Sequence, residues 1–121
     1  MKTPGPDHPI TITPNPRRVR VIVGGKVVAD TTSALALKEA TYPVVNYIPR
    51  EDADMSVLKP TAHSTHCPYK GDARYFSIEV DGKSIENAVW SYEDPFPAMT
   101  GITKYLAFYP NKVDKIEELS A

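Results

Sequence analysis

The sequence predicts a compact, single-domain, mainly β fold, either a sandwich or a distorted barrel built from hairpins, with little helix. Twelve prolines in 121 residues argue against long helices. Several short β-branched runs alternate apolar and polar residues with the period of a half-buried strand. Two of these runs carry tight-turn dipeptides, Gly24-Gly25 and Asp81-Gly82, at the positions where a hairpin reverses. We expect a proline-rich arm over residues 1–16 and one β-rich domain over residues 17–121.

Composition limits the classes of partner. Fourteen basic and fifteen acidic residues give a formal charge of −1, so we expect no nucleic-acid partner and no binding to anionic membranes. No apolar run approaches the length of a membrane-spanning helix, and the N-terminus lacks the apolar core of a signal peptide. Cys67 is the only cysteine and has no internal disulfide partner, which favours a cytoplasmic location.

The first half of the chain begins with an extended strip and continues with a hairpin. Residues 9–14 are bounded by prolines, which suits a sheet edge where a missing amide donor does no harm. Val19, Val21 and Val23 then alternate with charged residues in the first strand of a hairpin, and residues 26–30 form its partner.

Residues 33–40 fit either a short helix or a strand. Ala, Leu, Lys and Glu favour helix, but eight residues are few for one. A strand would place Leu35, Leu37 and Glu39 on one face and direct the carboxylate towards the core.

The second half predicts further strands over residues 42–48, 73–80, 83–92 and 105–109, with one helical turn after Pro97 and either a weak strand or a frayed helix over 111–119. Phe76, Ile78 and Val80 share the inward face of one strand. Residues 21–28 align without a gap with residues 78–85, which would give two similar halves, although any two hairpins share such turn residues.

Four patches, in order and spacing, resemble a known family. They are Tyr47-Ile-Pro-Arg-Glu-Asp52, Thr65-His-Cys-Pro-Tyr-Lys-Gly71, Ala88-Val-Trp-Ser-Tyr92 with Pro95, and Ala107-Phe-Tyr109. Together they are similar to the uncharacterised bacterial family catalogued as domain of unknown function 427, over roughly residues 17–116. The resemblance implies a compact, mainly β fold and carries a nucleotidyltransferase-like label. Nucleotidyl transfer needs carboxylates that hold Mg²⁺, and Asp52 and Asp54 have D-x-D spacing, although a solvated acidic turn explains the same pattern.

The densest group of reactive residues lies in the central stretch, residues 63–71. Cys67 could be a nucleophile activated by His63, His66 or Lys70, or a small buried residue next to a turn. Two histidines and one cysteine are too few for a tetrahedral zinc site without a further ligand, and His8 in the arm is a poor fourth, so we expect neither metal nor cofactor. Lys70 is either an exposed charge or an anion contact in a cleft. The stretch as a whole is interpreted as the turn that leads into the second hairpin.

These residues support three functions. The first is a β domain that binds a small molecule or anion in a pocket near residues 63–71, bounded by Cys67, Lys70 and the ligand-binding candidates Tyr47, Arg50, Asp52, Trp90 and Tyr92, with Glu39 near its floor. The second is an enzyme of transferase or hydrolase type that uses Cys67 or Glu39 with Lys70 as catalytic residues. The third is a non-catalytic interaction module, monomeric or homodimeric.

Overall fold

The computed structural model describes residues 1–120 and confirms the mainly β fold. Helix is limited in this part of the chain to three short 3₁₀ helices at Arg50–Asp52, Met55–Val57 and Pro97–Ile102. None of them is long and apolar enough to cross a membrane. The strands are β1 (Ile10–Pro14), β2 (Arg18–Val23), β3 (Lys26–Thr31), β4 (Leu35–Glu39), β5 (Val45–Tyr47), β6 (Leu58–Cys67), β7 (Gly71–Val80), β8 (Lys83–Ser91), β9 (Ala107–Phe108) and β10 (Lys115–Leu119).

The strands form three antiparallel sheets, in the orders β1-β4-β5, β10-β2-β3 and β6-β7-β8-β9. No sheet closes on itself within residues 1–120, so the distorted-barrel alternative is not what forms. One isolated bridge links the β1-β4-β5 sheet to the β6-β7-β8-β9 sheet, from Ile48, just after β5, to Leu106, just before β9. Because β5 ends its sheet, its edge beside Val45 and Asn46 has no strand partner.

Both predicted hairpin turns are confirmed. Gly24 and Gly25 have φ of 57° and 76°, and Asp81 and Gly82 have φ of 53° and 74°. Positive φ at both central residues is the requirement of a type I′ turn, whose twist matches that of the flanking strands. The two hairpins belong to different sheets, β2-β3 to one and β7-β8 to another.

Residues 35–39 form a strand rather than a helix. They are held between two neighbours, since β4 pairs with β1 on one side and with β5 on the other. In this register Ile10 lies opposite Glu39, and Pro14 lies opposite Leu35. The predicted extended strip is therefore the edge strand β1, and it brings the first residues of the chain next to Glu39.

The interpretation of residues 63–71 as a connecting turn is wrong for most of its length. Residues 58–67 are strand β6, and only residues 68–70 form the turn into β7. The pattern hid this strand because β6 is a sheet edge whose side chains are mostly exposed, so it shows no apolar alternation. Its position is fixed by its hydrogen-bonded ladder with β7 instead.

Two clusters of buried side chains make up the core, and β7 contributes to both. Phe76, Ile78 and Val80 belong to the first cluster, as the alternation predicted. Ala73 and Tyr75 belong to the second cluster. One face of β7 is therefore buried in the first cluster and the other face in the second. The candidate site lies at the second cluster.

Candidate functional site

A cleft of about 270 Å³ opens between the β1-β4-β5 sheet and the β6-β7-β8-β9 sheet. Among the residues that the structure describes, Glu39 and Lys70 are the charged ones that line it. Its walls are mainly aromatic, formed by Tyr42, Tyr47, Tyr75, Trp90, Tyr92 and Tyr109. The cleft therefore combines a largely apolar wall with one concentrated pair of opposite charges.

Glu39 sits between two donors. Lys70 Nζ donates to Glu39 Oε1, and His8 Nε2 lies 2.8 Å from Glu39 Oε2. The side chains of Lys70 and Glu39 are only 10% and 14% exposed, so their attraction is screened by water far less than that of a surface pair. A carboxylate has about four acceptor positions, which leaves Glu39 with capacity to accept a hydrogen bond from a ligand.

Lys70 is directed into the cleft by the turn that precedes β7. Gly71 has φ of +109°, a conformation that side chains with a Cβ rarely adopt. A Cβ at Gly71 would also lie 3.5 Å from Phe96 N and from Pro95 Cα. Phe96 N donates to Lys70 O at 3.0 Å, so the loop after β8 packs directly on this turn and fixes its path.

The N-terminal residues cover the same turn from the other side. The ring of His8 stacks on Tyr69 with centroids 4.1 Å apart and an interplanar angle of 8°. Lys2 N donates to Pro68 O at 2.7 Å, and Lys2 Nζ lies 5.9 Å from the Tyr69 ring. These contacts hold the His8 imidazole where it reaches Glu39.

The environment of the cleft lowers the pKa of its one carboxyl group and raises the pKa of three of its phenols. Burial alone would raise the pKa of Glu39, but the hydrogen bonds from Lys70 and His8 outweigh it and hold that pKa below its usual value. Burial raises the pKa of Tyr47 and of Tyr92 well above that of a free phenol. Burial and the hydrogen bond with Tyr75 raise the pKa of Tyr109 to about 12.

The aromatic walls are fixed by hydrogen bonds between their polar ends. Trp90 Nε1 donates to the Tyr47 hydroxyl at 3.2 Å. The Tyr75 hydroxyl lies 3.1 Å from the Tyr109 hydroxyl, and Trp90 packs on Tyr109 with ring centroids 4.5 Å apart. A cleft whose walls hold each other in place needs little rearrangement to receive a ligand.

Five of the residues singled out from sequence line this cleft: Glu39, Tyr47, Lys70, Trp90 and Tyr92. Arg50 and Asp52 do not. Arg50 donates to Lys104 O, Ser91 Oγ and Glu93 Oε2, and Asp52 accepts from Thr31 Oγ1 at 2.7 Å.

The D-x-D pair does not converge on one point. Asp52 bonds to Thr31, whereas Asp54 accepts from Ser56 and pairs with Lys26 at 3.0 Å. Within residues 1–120, no three His, Cys, Asp or Glu side chains are grouped as metal ligands would be. The spacing in sequence therefore does not translate into the carboxylate geometry that holds Mg²⁺.

Cys67 lies at the end of β6, half-buried against the second core cluster, and is not part of the cleft wall. The two histidines proposed to activate it have other contacts. His66 Nδ1 is 2.7 Å from Asp72 Oδ1, and the His63 ring packs edge-on against Tyr75. This arrangement matches a packed cysteine better than a nucleophile.

Sequence reasoning missed His8 and Tyr75. His8 was assigned to an arm outside the site, but the register of β1 with β4 was the available signal, since a strip paired from Ile10 to Glu39 brings His8 beside that carboxylate. Tyr75 was missed because only the Phe76 face of β7 was expected to be inward, whereas the second cluster buries the opposite face as well.

These features define a small, mainly β domain with an aromatic cleft that is also lined by a buried ion pair. The chain belongs to the family described as Domain of unknown function (DUF427), whose model matches residues 11–119. The short name of that model refers to NTP transfer, but it is only a name. No curated protein matches the chain.

Proposed function

We propose that the domain binds a small, uncharged molecule with a planar ring and at least one hydrogen-bonding group. The observation that carries this proposal is the composition of the cleft, in which aromatic walls surround the Glu39–Lys70 pair. Small-molecule sites are typically concave and mostly apolar, with a few polar groups that fix orientation. The cavity is slightly smaller than the usual range for drug-sized ligands, which suits a ligand of metabolite size.

The pairing of Lys70 favours an uncharged ligand over an anion. Its ammonium group already donates to Glu39, so the two charges largely cancel within the cleft. An anion would have to compete with a buried carboxylate for that ammonium group, and a cation would meet the ammonium itself. A neutral ring with a hydroxyl or amide group can instead donate to Glu39 while its face packs on the aromatic walls.

The test uses the single tryptophan of the chain as a reporter. Phenol, benzamide and uracil are titrated into ¹⁵N-labelled protein, and the indole N–H signal of Trp90 is followed by NMR. Because that N–H bonds to Tyr47 in the cleft wall, a ligand there should shift it saturably, with dissociation constants of about 1 mM for probes this small. If none of the three probes moves the signal, the proposal is wrong.

A matched pair of variants localises the binding. Tyr42 and Val44 are in the same loop and are 60% and 54% exposed, but only Tyr42 lines the cleft. Tyr42→Ala should weaken binding of the probes, whereas Val44→Ala should leave it unchanged because these short probes do not extend past the cleft.

We propose hydrolase or transferase chemistry as the second function, on the contact between His8 and Glu39. An imidazole 2.8 Å from a carboxylate that also pairs with an ammonium group is an arrangement able to move a proton. Turnover of 4-nitrophenyl acetate that Glu39→Gln abolishes would support it, and turnover equal in both proteins would exclude Glu39 from that chemistry.

The absence of a second cysteine to pair with Cys67 supports the cytoplasm as the compartment.

A further inference from the structure

A second cavity adjoins the cleft. It is a largely apolar groove of about 330 Å³ where the three sheets meet, and its lining includes Val19 and Val21 of β2 together with Phe108, Pro110 and Ile116. Its one charged lining residue, Glu118, already accepts a hydrogen bond from Asn46 at 3.2 Å. Asn46 also lines the groove, and its side chain is engaged by Asn15 and Glu118. The other lining side chains offer a ligand mainly apolar contacts.

Val45 and Trp90 line both cavities. The loop before β5 is divided in the same way, since Tyr42 lines the cleft and Val44 lines the groove. Within residues 1–120, no strand pairs with the edge of β5 beside Val45, and the bridge on that side is at Ile48. The boundary between the two cavities is therefore made of two side chains rather than of a paired strand.

We infer that the ligand is an amphiphile, with its planar polar head in the cleft and an unbranched apolar chain that passes between Val45 and Trp90 into the groove. This inference rests on the proposed function, since it extends the same ligand beyond the cleft. The charges of Glu39 and Lys70 lie in the cleft, whereas the groove is lined mainly by Val, Ile, Phe and Pro side chains. A molecule polar at one end and apolar at the other matches this distribution.

The chain-length dependence of binding tests the inference. The probes are phenol and 4-methyl-, 4-propyl- and 4-pentylphenol, below the concentrations at which they aggregate, with Trp90 fluorescence as readout. Each methylene that leaves water for an apolar site contributes about 0.8 kcal/mol, which is about fourfold in affinity. We expect the dissociation constant of the wild-type protein to fall about fourfold for each added methylene.

Val44→Glu introduces a charge at the groove without touching the cleft. The side chain is 54% exposed, so the fold should tolerate the substitution. Val27→Glu is the matched control, because Val27 is also exposed, at 36%, and lines neither cavity. Phenol should bind all three proteins equally. The gain with chain length should persist in Val27→Glu and largely disappear in Val44→Glu.

The outcomes separate the inference from the function it rests on. If phenol binds but longer chains gain nothing in the wild-type protein, the inference is wrong and the cleft proposal stands. An equal gain in Val44→Glu would also overturn it, since the chain would then lie elsewhere. Failure of every probe to bind would remove both. If a second copy of the chain occupies the groove, analytical ultracentrifugation should show a wild-type dimer that Val44→Glu dissociates. That result would overturn the inference that the ligand is an amphiphile.

Discussion

Replacing Glu39 by leucine should destabilise the protein by about 3 kcal/mol. The substitution leaves the Lys70 ammonium group without its carboxylate in a site where the side chain is only 10% exposed. Removing one partner of a fully buried ion pair costs about 3–5 kcal/mol, and the small remaining exposure places this pair at the low end. Domains of this size are stable by about 5–15 kcal/mol, so the variant should still fold. In urea, with a slope of about 1.5 kcal/mol/M, its midpoint should fall by about 2 M.

A double-mutant cycle measures the pairing itself. Lys70→Met should also be costly because it leaves the buried carboxylate with only its contact to His8. Glu39→Leu combined with Lys70→Met should return to within about 1 kcal/mol of wild type, because neither charge of the Glu39–Lys70 pair is left behind. The exposed Arg18–Asp30 pair, whose contact is 2.5 Å, is the control. Its coupling should be far smaller, because water screens it. If the two single costs at Glu39 and Lys70 simply add, the reasoning about a buried pair is refuted.

Three further predictions concern pH and backbone conformation. Folding raises the pKa of Tyr47 and Tyr92. The stability that these neutral phenols contribute is therefore complete below the usual tyrosine pKa of about 10, and it is lost as the pH rises through their pKa values in the folded protein. Ultraviolet absorbance near 295 nm should show these phenols ionising only as the protein unfolds in alkali. Folding lowers the pKa of Glu39. The stability that its carboxylate contributes is therefore complete above the usual glutamate pKa of about 4.3, and it is lost as the pH falls from there through the lower pKa of the folded protein. Glu39→Gln should flatten this part of the plot of stability against pH, measured by urea unfolding. Gly71→Ala should cost about 1–3 kcal/mol because of its positive φ, whereas Gly5→Ala should be close to neutral in the same thermal melts, since a Cβ there meets nothing within 4 Å.

Each of these predictions has an outcome that contradicts it. Full ionisation of all tyrosines in the native protein near pH 11 would mean that the cleft phenols are solvated. Parallel acid profiles for wild type and Glu39→Gln would mean that the carboxylate gains nothing from its two donors. A Gly71→Ala variant as stable as wild type would mean that the turn before β7 can relax away from Phe96.

The sheet-forming segments could be predicted because their signals are local. The turns at Gly24-Gly25 and Asp81-Gly82 need positive φ and carry the residues that supply it. The alternation of Phe76, Ile78 and Val80 likewise marks a buried face. Strand β6 could not be found in this way, because an exposed edge strand is specified by its neighbour's hydrogen bonds and leaves no apolar period in its own sequence.

The candidate site could be predicted in part for the same reason. Glu39 stands out as a carboxylate on an apolar strand face, and Lys70 as a cation beside a turn glycine. His8 becomes visible only once the register of β1 with β4 is known, because its partner is 31 residues away in sequence. Arg50 is predicted to line the pocket as one of its few polar groups, but its guanidinium lies 2.8 Å from Glu93 in a separate cluster.

The position of β10 has a consequence for the order in which the molecule is assembled. Its residues 115–119 pair with β2, so the chain must bring together segments separated by nearly its whole length. Pairings of such high sequence separation form late and slow the folding of β proteins. During synthesis, the β2 edge of the β2-β3 hairpin therefore lacks its partner strand until residues 115–119 have emerged from the ribosome. Since Ile116 and Glu118 form part of its wall, the apolar groove should be among the last features of the protein to be completed.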